Sequence, residues 1–111
     1  MRTFDIKSDM PLVSVASTRL ANIIRACNGK DKVIKIVHGY GSSGQGGSIK
    51  TSVHNSLRNR VRQGEIKAYI PGEAFAQPMG FDETIRTYSN LIKSDSDYRK
   101  ANDGITFVIL K

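Results

Sequence analysis

A histidine followed by a run of glycines is the part of this sequence best suited to chemistry. His38 precedes the stretch 39–48, which contains five of the ten glycines of the chain. A glycine-rich turn between a strand and a helix exposes backbone N–H groups and the positive end of the helix dipole, so it favours a phosphate or another anion. At the mouth of such a loop, His38 could donate to phosphate, act as a general acid or base, or bond a loop carbonyl. Tyr40 could stack on a base or sugar, or pack back over the loop as a lid.

Two nucleotide-binding patterns overlap in this loop. Gly39, Gly41 and Gly44 match G-x-G-x-x-G between a predicted strand and a predicted helix. Residues 41–48 resemble a P-loop, but Gly47 stands where a P-loop needs its lysine. A Rossmann domain needs more strands than this chain supplies. Three interpretations stay open: contact with a nucleic-acid backbone, binding of a mononucleotide or dinucleotide, and a surface loop without a ligand.

A basic row follows the loop on the next predicted helix. Its members are spaced by four residues: Lys50, His54, Arg58 and Arg62. Arg60 adds a further positive charge, and no Asp or Glu occurs from Lys32 to Gly64. Such a row is usually a solvated helix face, but a row with only positive members favours contact with nucleic acid.

The elements that must position these residues follow from apolar spacing. Thr3–Ile6 predicts a short edge strand. One helical face is formed by apolar residues three and four positions apart: Val13, Ala16, Leu20, Ile23, Ile24 and Cys27. Asp9 is the expected N-cap of this helix, Pro11 falls in its first turn and Gly29 ends it. On that apolar face, Cys27 is expected to be a core residue rather than a reactive thiol.

The same method predicts the remaining elements. Val33–Val37 is a β-branched run and predicts a strand. A second helix is predicted from apolar residues spaced by four and is closed by Gly64: Ile49, Val53, Leu57 and Val61. Ile66–Ile70 predicts a third strand, and Asp82 is the expected cap of a third helix. Ile105–Leu110 is a nearly continuous apolar run and predicts the final strand.

This order predicts an α/β two-layer sandwich. Alternating strands and helices give a βαβαβ core of parallel strands with right-handed crossovers. The final strand completes a mixed four-stranded sheet. Residues 71–103 are expected to form an extra helical insertion that covers one end of the sheet, within a single domain spanning residues 1–111.

Composition excludes several classes of protein. A single cysteine cannot form an intramolecular disulfide, and two histidines with one cysteine do not make a zinc ribbon. No apolar run is long enough to span a membrane, the N-terminus does not resemble a signal peptide, and a role on a membrane surface ranks lowest. A cytoplasmic location is therefore the default expectation.

The net charge of +7 is confined to one half of the chain. Residues 1–64 contain 11 Lys and Arg against 3 Asp and Glu, whereas residues 65–111 contain 6 against 7. We therefore expect one positively charged face, with DNA or RNA as the partner.

The sequence resembles the Smr domain, the small MutS-related family, in one continuous segment. This segment consists of the strand Val33–Val37, the motif His38-Gly39-Tyr40-Gly41, a glycine-rich loop and a basic helix. The resemblance covers Thr3–Ile70 and Gly104–Leu110. It implies a two-layer α/β fold similar to the C-terminal domain of translation initiation factor three. It also implies binding of DNA or RNA and, in several members, endonuclease activity, in DNA repair and recombination or in RNA and ribosome quality control.

The resemblance also implies two active-site elements. An Asp-x-His motif ends the first strand of the family, and here Asp5 is kept while Lys7 stands where the histidine is expected. The His-Gly-x-Gly motif is intact, so His38, Gly39 and Gly41 carry over as binding or catalytic positions. Asp5 would position His38 or hold a divalent metal if the protein cleaves, and Lys7 would neutralise phosphate charge. No cofactor is otherwise implied.

Three functions follow as hypotheses. The first is a nucleic-acid-binding domain that uses the glycine loop and the basic helix. The second is a nuclease in which Asp5 and His38 are catalytic and Lys7 stabilises phosphate charge. The third is a small-nucleotide or phosphate-binding protein that uses the loop as a cradle.

Overall fold

The computed structural model of the chain describes residues 1–9, 11–40 and 44–111. Its elements occur in this order: β1 (Arg2–Asp5), α1 (Val13–Cys27), β2 (Val33–Val37), α2 (Gly44–Arg62), β3 (Ile66–Pro71), a 3₁₀ helix (Gly72–Phe75), α3 (Asp82–Ile92) and β4 (Ile105–Leu110). The predicted strands and helices are all present, and β2 and β4 have the predicted bounds.

The four strands form one mixed sheet in the order β1-β2-β4-β3. β1 and β2 are parallel, and β4 is antiparallel to both of its neighbours. The last strand is therefore inserted between β2 and β3, and the three strands of the βαβαβ core all run in one direction. The expected α/β two-layer sandwich with a mixed four-stranded sheet is confirmed: the sheet forms one layer and α1 with α2 forms the other, while the segment after β3 adds cover on the opposite face.

The first face of the sheet is covered by α1 and α2. Both helices direct their apolar faces into a core shared with the sheet, whose fully or almost fully buried helical members are Ala16, Leu20, Ile24, Cys27, Ile49, Val53 and Leu57. Burying one such aliphatic side chain stabilises the fold by roughly 1.5–3 kcal/mol, so this apolar pattern decides which side of each helix meets the sheet. Cys27 is buried and free, as expected.

The apolar row of α2 leaves the core at its last member. An α-helix has about 3.6 residues per turn, so a step of four residues advances by about 40° beyond a full turn. Ile49, Val53 and Leu57 are buried, but Val61 is 36% exposed because three such steps carry it out of the interface.

The second face of the sheet is covered by the segment that follows β3. We expected this insertion at one end of the sheet, but it packs across the face opposite α1 and α2. Ala74 of the 3₁₀ helix and Ile92 of α3 join a second buried cluster with β-strand residues such as Ile70 and Phe107. Alternate strand residues point to opposite faces, and these strands are apolar on both, so the second face needs its own cover.

Gly72 allows the start of the 3₁₀ helix to lie close to the backbone of Asn102. A Cβ atom at residue 72 would lie 1.8 Å from the carbonyl oxygen of Asn102, so no side chain fits there. The 3₁₀ helix therefore packs backbone to backbone against the loop that precedes β4.

Lys35 interrupts the apolar run of β2 and points into this second face. Its side chain is almost buried, and its ammonium lies 2.9 Å from Asp95 Oδ2 and 2.7 Å from Asp97 Oδ2. Burial acts to lower the pKa of Lys35, but the hydrogen bonds that its ammonium donates to Asp97 and Asp95, with the charges of these carboxylates, outweigh it and raise that pKa. The buried charge is thus paired, and it ties β2 to the turns after α3.

Two expected helix caps are wrong. α1 begins at Val13 after Leu12, without a side-chain cap, and Asp9 lies too far upstream, with a φ of 67°. The connection from β1 is instead held by Arg19, which donates to the carbonyl oxygens of Ile6 and Ser8. Asp82 is the first residue of α3 rather than its cap, and there its charge still favours the positive end of the helix. Gly29 follows α1 as expected, with a φ of 82°.

Among the residues that the structure describes, none belongs to a helix long and apolar enough to cross a membrane.

Candidate functional site at the carboxyl ends of the parallel strands

The carboxyl ends of β1, β2 and β3 meet at one edge of the sheet, where β4 begins. This edge brings together Asp5 at the end of β1, His38 after β2, Glu73 after β3 and Thr106 near the start of β4. Ligands of open α/β sheets bind in the crevice outside the carboxyl ends of the strands. A ligand-binding site is therefore expected at this edge of the sheet, and α2 begins beside it.

His38 is buried at the centre of this edge. Its ring has no solvent exposure, and both ring nitrogens are engaged. Nδ1 lies 2.8 Å from the carbonyl oxygen of Gly39, and Nε2 lies 2.8 Å from Thr106 Oγ1. A carbonyl oxygen only accepts hydrogen bonds, so Nδ1 carries a proton. Burial lowers the pKa of His38 to about 4, so at pH 7 the ring is neutral and Nε2 accepts from the Thr106 hydroxyl. Neither ring nitrogen is free to contact a substrate.

His54 of α2 shares the same hydroxyl. Its Nε2 lies 3.1 Å from Thr106 Oγ1, and its ring meets the His38 ring edge-on at 5.5 Å between centroids. Because the Thr106 hydroxyl already donates to His38, His54 Nε2 must be the donor in this contact. One threonine therefore connects two histidines in a fixed order of donors and acceptors.

Burial disfavours a charge on either histidine. Burial lowers the pKa of His38 from 6.5 to about 4, against the opposing effect of the Gly39 carbonyl. Burial also lowers the pKa of His54, although the charge of Glu73 acts in the other direction. Desolvation penalises the imidazolium form, so both rings are predominantly neutral at pH 7.

Lys50 and Glu73 form an ion pair beside His54. Lys50 Nζ lies 2.8 Å from Glu73 Oε2, which joins α2 to the 3₁₀ helix. Burial acts to raise the pKa of Glu73, but the hydrogen bonds from Lys50 and from the Glu73 backbone N–H, together with the Lys50 charge, outweigh it and lower that pKa. The other carboxylate oxygen, Oε1, is buried without a hydrogen-bond partner among the described residues. The Lys50 ammonium is thus already bound to a carboxylate of the same chain.

Asp5 and Lys7 lie at the exposed rim of the edge. Asp5 Oδ1 accepts the backbone N–H groups of Lys7 and Ser8, and Lys7 Nζ lies 3.6 Å from Asp5 Oδ2. Burial acts to raise the pKa of Asp5, but these hydrogen bonds and the Lys7 charge outweigh it and lower that pKa. No hydrogen bond joins Asp5 to His38 in the described part of the chain, so the carboxylate shapes its own turn rather than orienting that ring.

The start of the glycine loop is tied to the chain before β4. The backbone N–H groups of His38 and Gly39 both donate to the carbonyl oxygen of Gly104. Gly39 has a φ of 87°, and a Cβ there would lie 3.1 Å from Lys7 Cδ. Tyr40 places Cε1 against Gly104 yet remains 67% exposed, so its ring is open to a ligand. These two N–H groups are not available to a phosphate.

The basic row of α2 divides into an inner and an outer half. Lys50 and His54 point between α2 and the edge of the sheet, whereas Arg58 and Arg62 are exposed. The drift of about 40° per four residues that exposes Val61 also carries this row outward. Among the described residues, Arg58 hydrogen-bonds the Asn55 side chain, while Arg60 is paired with Glu65. Gly44 is the first residue of α2, and Gly41 lies outside the described residues.

Glu73 and Thr106 were missed by sequence reasoning. Thr106 is the polar residue within the apolar run of β4, and that interruption was an available sign of a buried hydrogen bond. Glu73 follows Pro71-Gly72 and gives no comparable sign. Both reach the site through the strand order, which spacing along the chain does not reveal.

Residues 1–9, 11–40 and 44–111 contain no group of three His, Cys, Asp or Glu side chains that could hold a metal ion.

Comparisons with known proteins found no matching family model, no similar curated protein and no similar solved structure. The resemblance to the Smr domain therefore stays a hypothesis.

Proposed function

We propose that this chain binds nucleic acid along α2, with phosphates at Arg58 and Arg62 and a base or sugar against Tyr40. The observation that carries the proposal is the state of the two arginines: both are exposed, and neither has an acidic partner within the described chain. α2 carries no acidic residue over its whole length. Unpaired arginines on such a helix are suited to the regularly spaced phosphates of a strand.

The site supports binding better than cleavage. Phosphodiester hydrolysis requires a group that takes up or gives a proton at the substrate. His38 is buried with both ring nitrogens engaged, and the Lys7 ammonium is paired with Asp5. The proposed protein is thus a nucleic-acid-binding, Smr-like domain of the cytoplasm, in which His38 fixes the glycine turn.

A phosphate cradle at the glycine loop has less support. The N–H groups of His38 and Gly39 already donate to Gly104, and Lys50 is held by Glu73. The hydrogen bonds to Gly104 and the ion pair with Glu73 would have to break before these groups could bind an anion.

Fluorescence anisotropy across a salt series tests the proposal. The protein is titrated into labelled single-stranded and duplex DNA and RNA. Each phosphate contact contributes roughly 0.7 to the slope of log affinity against log salt for single strands, and roughly 0.9 for duplexes. The double variant Arg58→Ala/Arg62→Ala should therefore lower that slope by about 1.4 or about 1.8. Tyr40→Ala should weaken binding to single strands more than to duplexes, because stacking needs an unpaired base.

The matched control is Lys93→Ala/Lys100→Ala, which also removes two exposed cations but lies in the nearly neutral half of the chain. It should leave the slope unchanged. No binding at low salt, or an equal loss in both double variants, would overturn the proposal. Cleavage by the wild type that is lost in Asp5→Ala would assign a nuclease instead.

A further inference from the structure

A second basic site lies at the opposite end of the sheet from the glycine loop. A cavity of about 370 Å³ opens there under α3, lined by Lys32, Lys67, Tyr88, Leu91, Ile109, Leu110 and Lys111. Pockets for small ligands usually span about 300–1,000 Å³, so the cavity is large enough for one small organic molecule.

Three lysines converge on this cavity from neighbouring strands. Lys32 precedes β2, Lys111 follows β4, and Lys67 belongs to β3. The sheet order β2-β4-β3 places these three positions side by side. Their ammonium groups form no ion pair with any acid among the described residues, and none of the residues lining the cavity is acidic. An anion bound in this cavity would therefore meet three basic side chains and no acidic side chain.

The backbone holds the lysines in place. The N–H of Leu110 donates to the carbonyl oxygen of Lys32, and the N–H of Lys111 donates to Asn28 Oδ1. The register of β3 shifts between Ile66 and Ala68, so Lys67 is the extra residue of a β-bulge. A bulge redirects a side chain out of the regular alternation of a strand. Rigid elements thus present the positive charges.

The remaining wall of the cavity is apolar and partly aromatic. Tyr88 and Leu91 come from α3, and Ile109 comes from the second face of β4. These side chains offer a surface for a flat or apolar group next to the three ammonium groups.

We propose that this cavity binds a nucleoside monophosphate, with its phosphate at Lys32, Lys67 and Lys111 and its base against Tyr88 and Leu91. Lysine ammonium groups bind phosphate as point charges, and a ring needs an apolar or aromatic face. The same chemistry occurs in a free mononucleotide and in the 5′-phosphorylated end of a nucleic-acid strand. The site is separate from Arg58, Arg62 and Tyr40, so the proposal goes beyond the one for α2 and does not depend on it.

Isothermal titration calorimetry with the full chain tests the site. The probes are AMP, GMP, CMP and UMP, with adenosine and inorganic phosphate as partial ligands. At least one nucleotide should bind at least tenfold more tightly than adenosine or phosphate. Lys32→Gln/Lys67→Gln should weaken it at least tenfold, whereas Lys93→Gln/Lys100→Gln and Arg58→Ala/Arg62→Ala should not.

The source of the nucleotide is decided by two oligonucleotides that differ only in a 5′-phosphate. Both strands are measured in the Arg58→Ala/Arg62→Ala variant, so that binding along α2 does not contribute. Tighter binding of the phosphorylated than of the unphosphorylated strand assigns a strand end, whereas equal binding of the two strands, together with tight binding of a nucleotide, assigns a free mononucleotide. Absence of binding by all four nucleotides, equal affinity for inorganic phosphate, or no effect of Lys32→Gln/Lys67→Gln would overturn the proposal.

Discussion

Thr106 carries a single hydroxyl that hydrogen-bonds the buried His38 and the half-buried His54. It donates to His38 and accepts from His54, so its removal leaves one buried nitrogen without a donor and another without an acceptor. A hydroxyl in this place orders the protons of both rings, and the contact of His38 with the Gly39 carbonyl extends that order to the glycine turn.

We predict that Thr106→Val lowers the free energy of unfolding by at least about 2 kcal/mol, because each unsatisfied buried polar group costs about 1–3 kcal/mol. Urea unfolding at pH 7.5 measures this loss. Thr106→Ser keeps the hydroxyl and should retain most of the stability. Thr18→Val removes an exposed hydroxyl and should change stability by less than about 0.5 kcal/mol. Equal losses in the Val and Ser variants of Thr106 would show that its methyl group matters rather than the hydrogen bonds.

The buried His38 also predicts how stability depends on pH. Burial lowers its folded-state pKa from 6.5 to about 4, so between these values the unfolded chain binds the proton that the folded chain refuses. The free energy of unfolding is therefore highest above pH 6.5 and decreases as the pH falls from 6.5 to about 4. The total decrease caused by His38 is roughly 3 kcal/mol. His54 acts in the same direction.

Carbon NMR of the imidazole rings, with urea unfolding at each pH, measures the effect. His38 should remain neutral at any pH above about 5. An imidazole of His38 that titrates near its ordinary value of 6.5 would contradict the buried, doubly bonded ring.

At the scale of the elements, spacing along the chain predicted much of the fold. β2 and β4 were placed to the residue because continuous β-branched and apolar runs have few alternative structures. Helix starts were predicted less well, since Asp9 and Asp82 are typical caps by residue type while the turns before the helices are held by other contacts.

The candidate site was predicted only in part. His38, Gly39 and Tyr40 follow one another along the chain, so a local pattern identified them. Thr106 and Glu73 are brought to His38 and Lys50 by the order of the strands, which a single sequence does not contain. The sequence also does not show that His54 points towards the sheet. Residues spaced by four drift around the axis of a 19-residue helix, so the spacing does not tell which of them face inward.

The rotation of the α2 rows gives a prediction for this helix. Leu57 is fully buried, whereas Val61 has turned out of the core. Leu57→Ala should therefore cost about 2–5 kcal/mol, while Val61→Ala should change stability by no more than about 0.5 kcal/mol, since alanine also has the higher helix propensity. Thermal and urea unfolding of both variants compare the two positions. Similar costs would mean that Val61 remains in the core.

At the scale of the whole molecule, the sheet is apolar on both faces. The helices on its first face and the segment on its second face are held by different interactions. α1 and α2 are held by apolar packing, whereas the segment after β3 combines apolar packing with the buried pair of Lys35 to Asp95 and Asp97. That contact joins residues 60 and 62 positions apart.

We predict that Lys35→Met destabilises the protein by about 2–4 kcal/mol at pH 7, because it leaves two partly buried carboxylates without their cation. Lys35 lowers the pKa of Asp97, so this contribution is present above the ordinary carboxyl pKa of 3.8 and is lost as pH falls below it. Unfolding measurements from pH 3 to pH 7 should show the wild type and the variant converging at the acid end. Lys93→Met, at an exposed position, is the control, and a pH-independent difference would exclude the ion pair as the cause.

The position of β4 has a consequence for how the chain folds during synthesis. β3 pairs with β4 and not with β2, so the third strand has no partner until residues 105–110 have left the ribosome. Pairings distant in sequence form slowly, and here the earlier elements must wait for the last one. On ribosome-bound chains that carry C-terminal linkers of increasing length, we expect resistance to protease to appear only once β4 has emerged from the exit tunnel, and earlier resistance would contradict this order. Until then the facing edges of β2 and β3 are both unpaired, and an unpaired strand edge is a template that a chaperone could recognise.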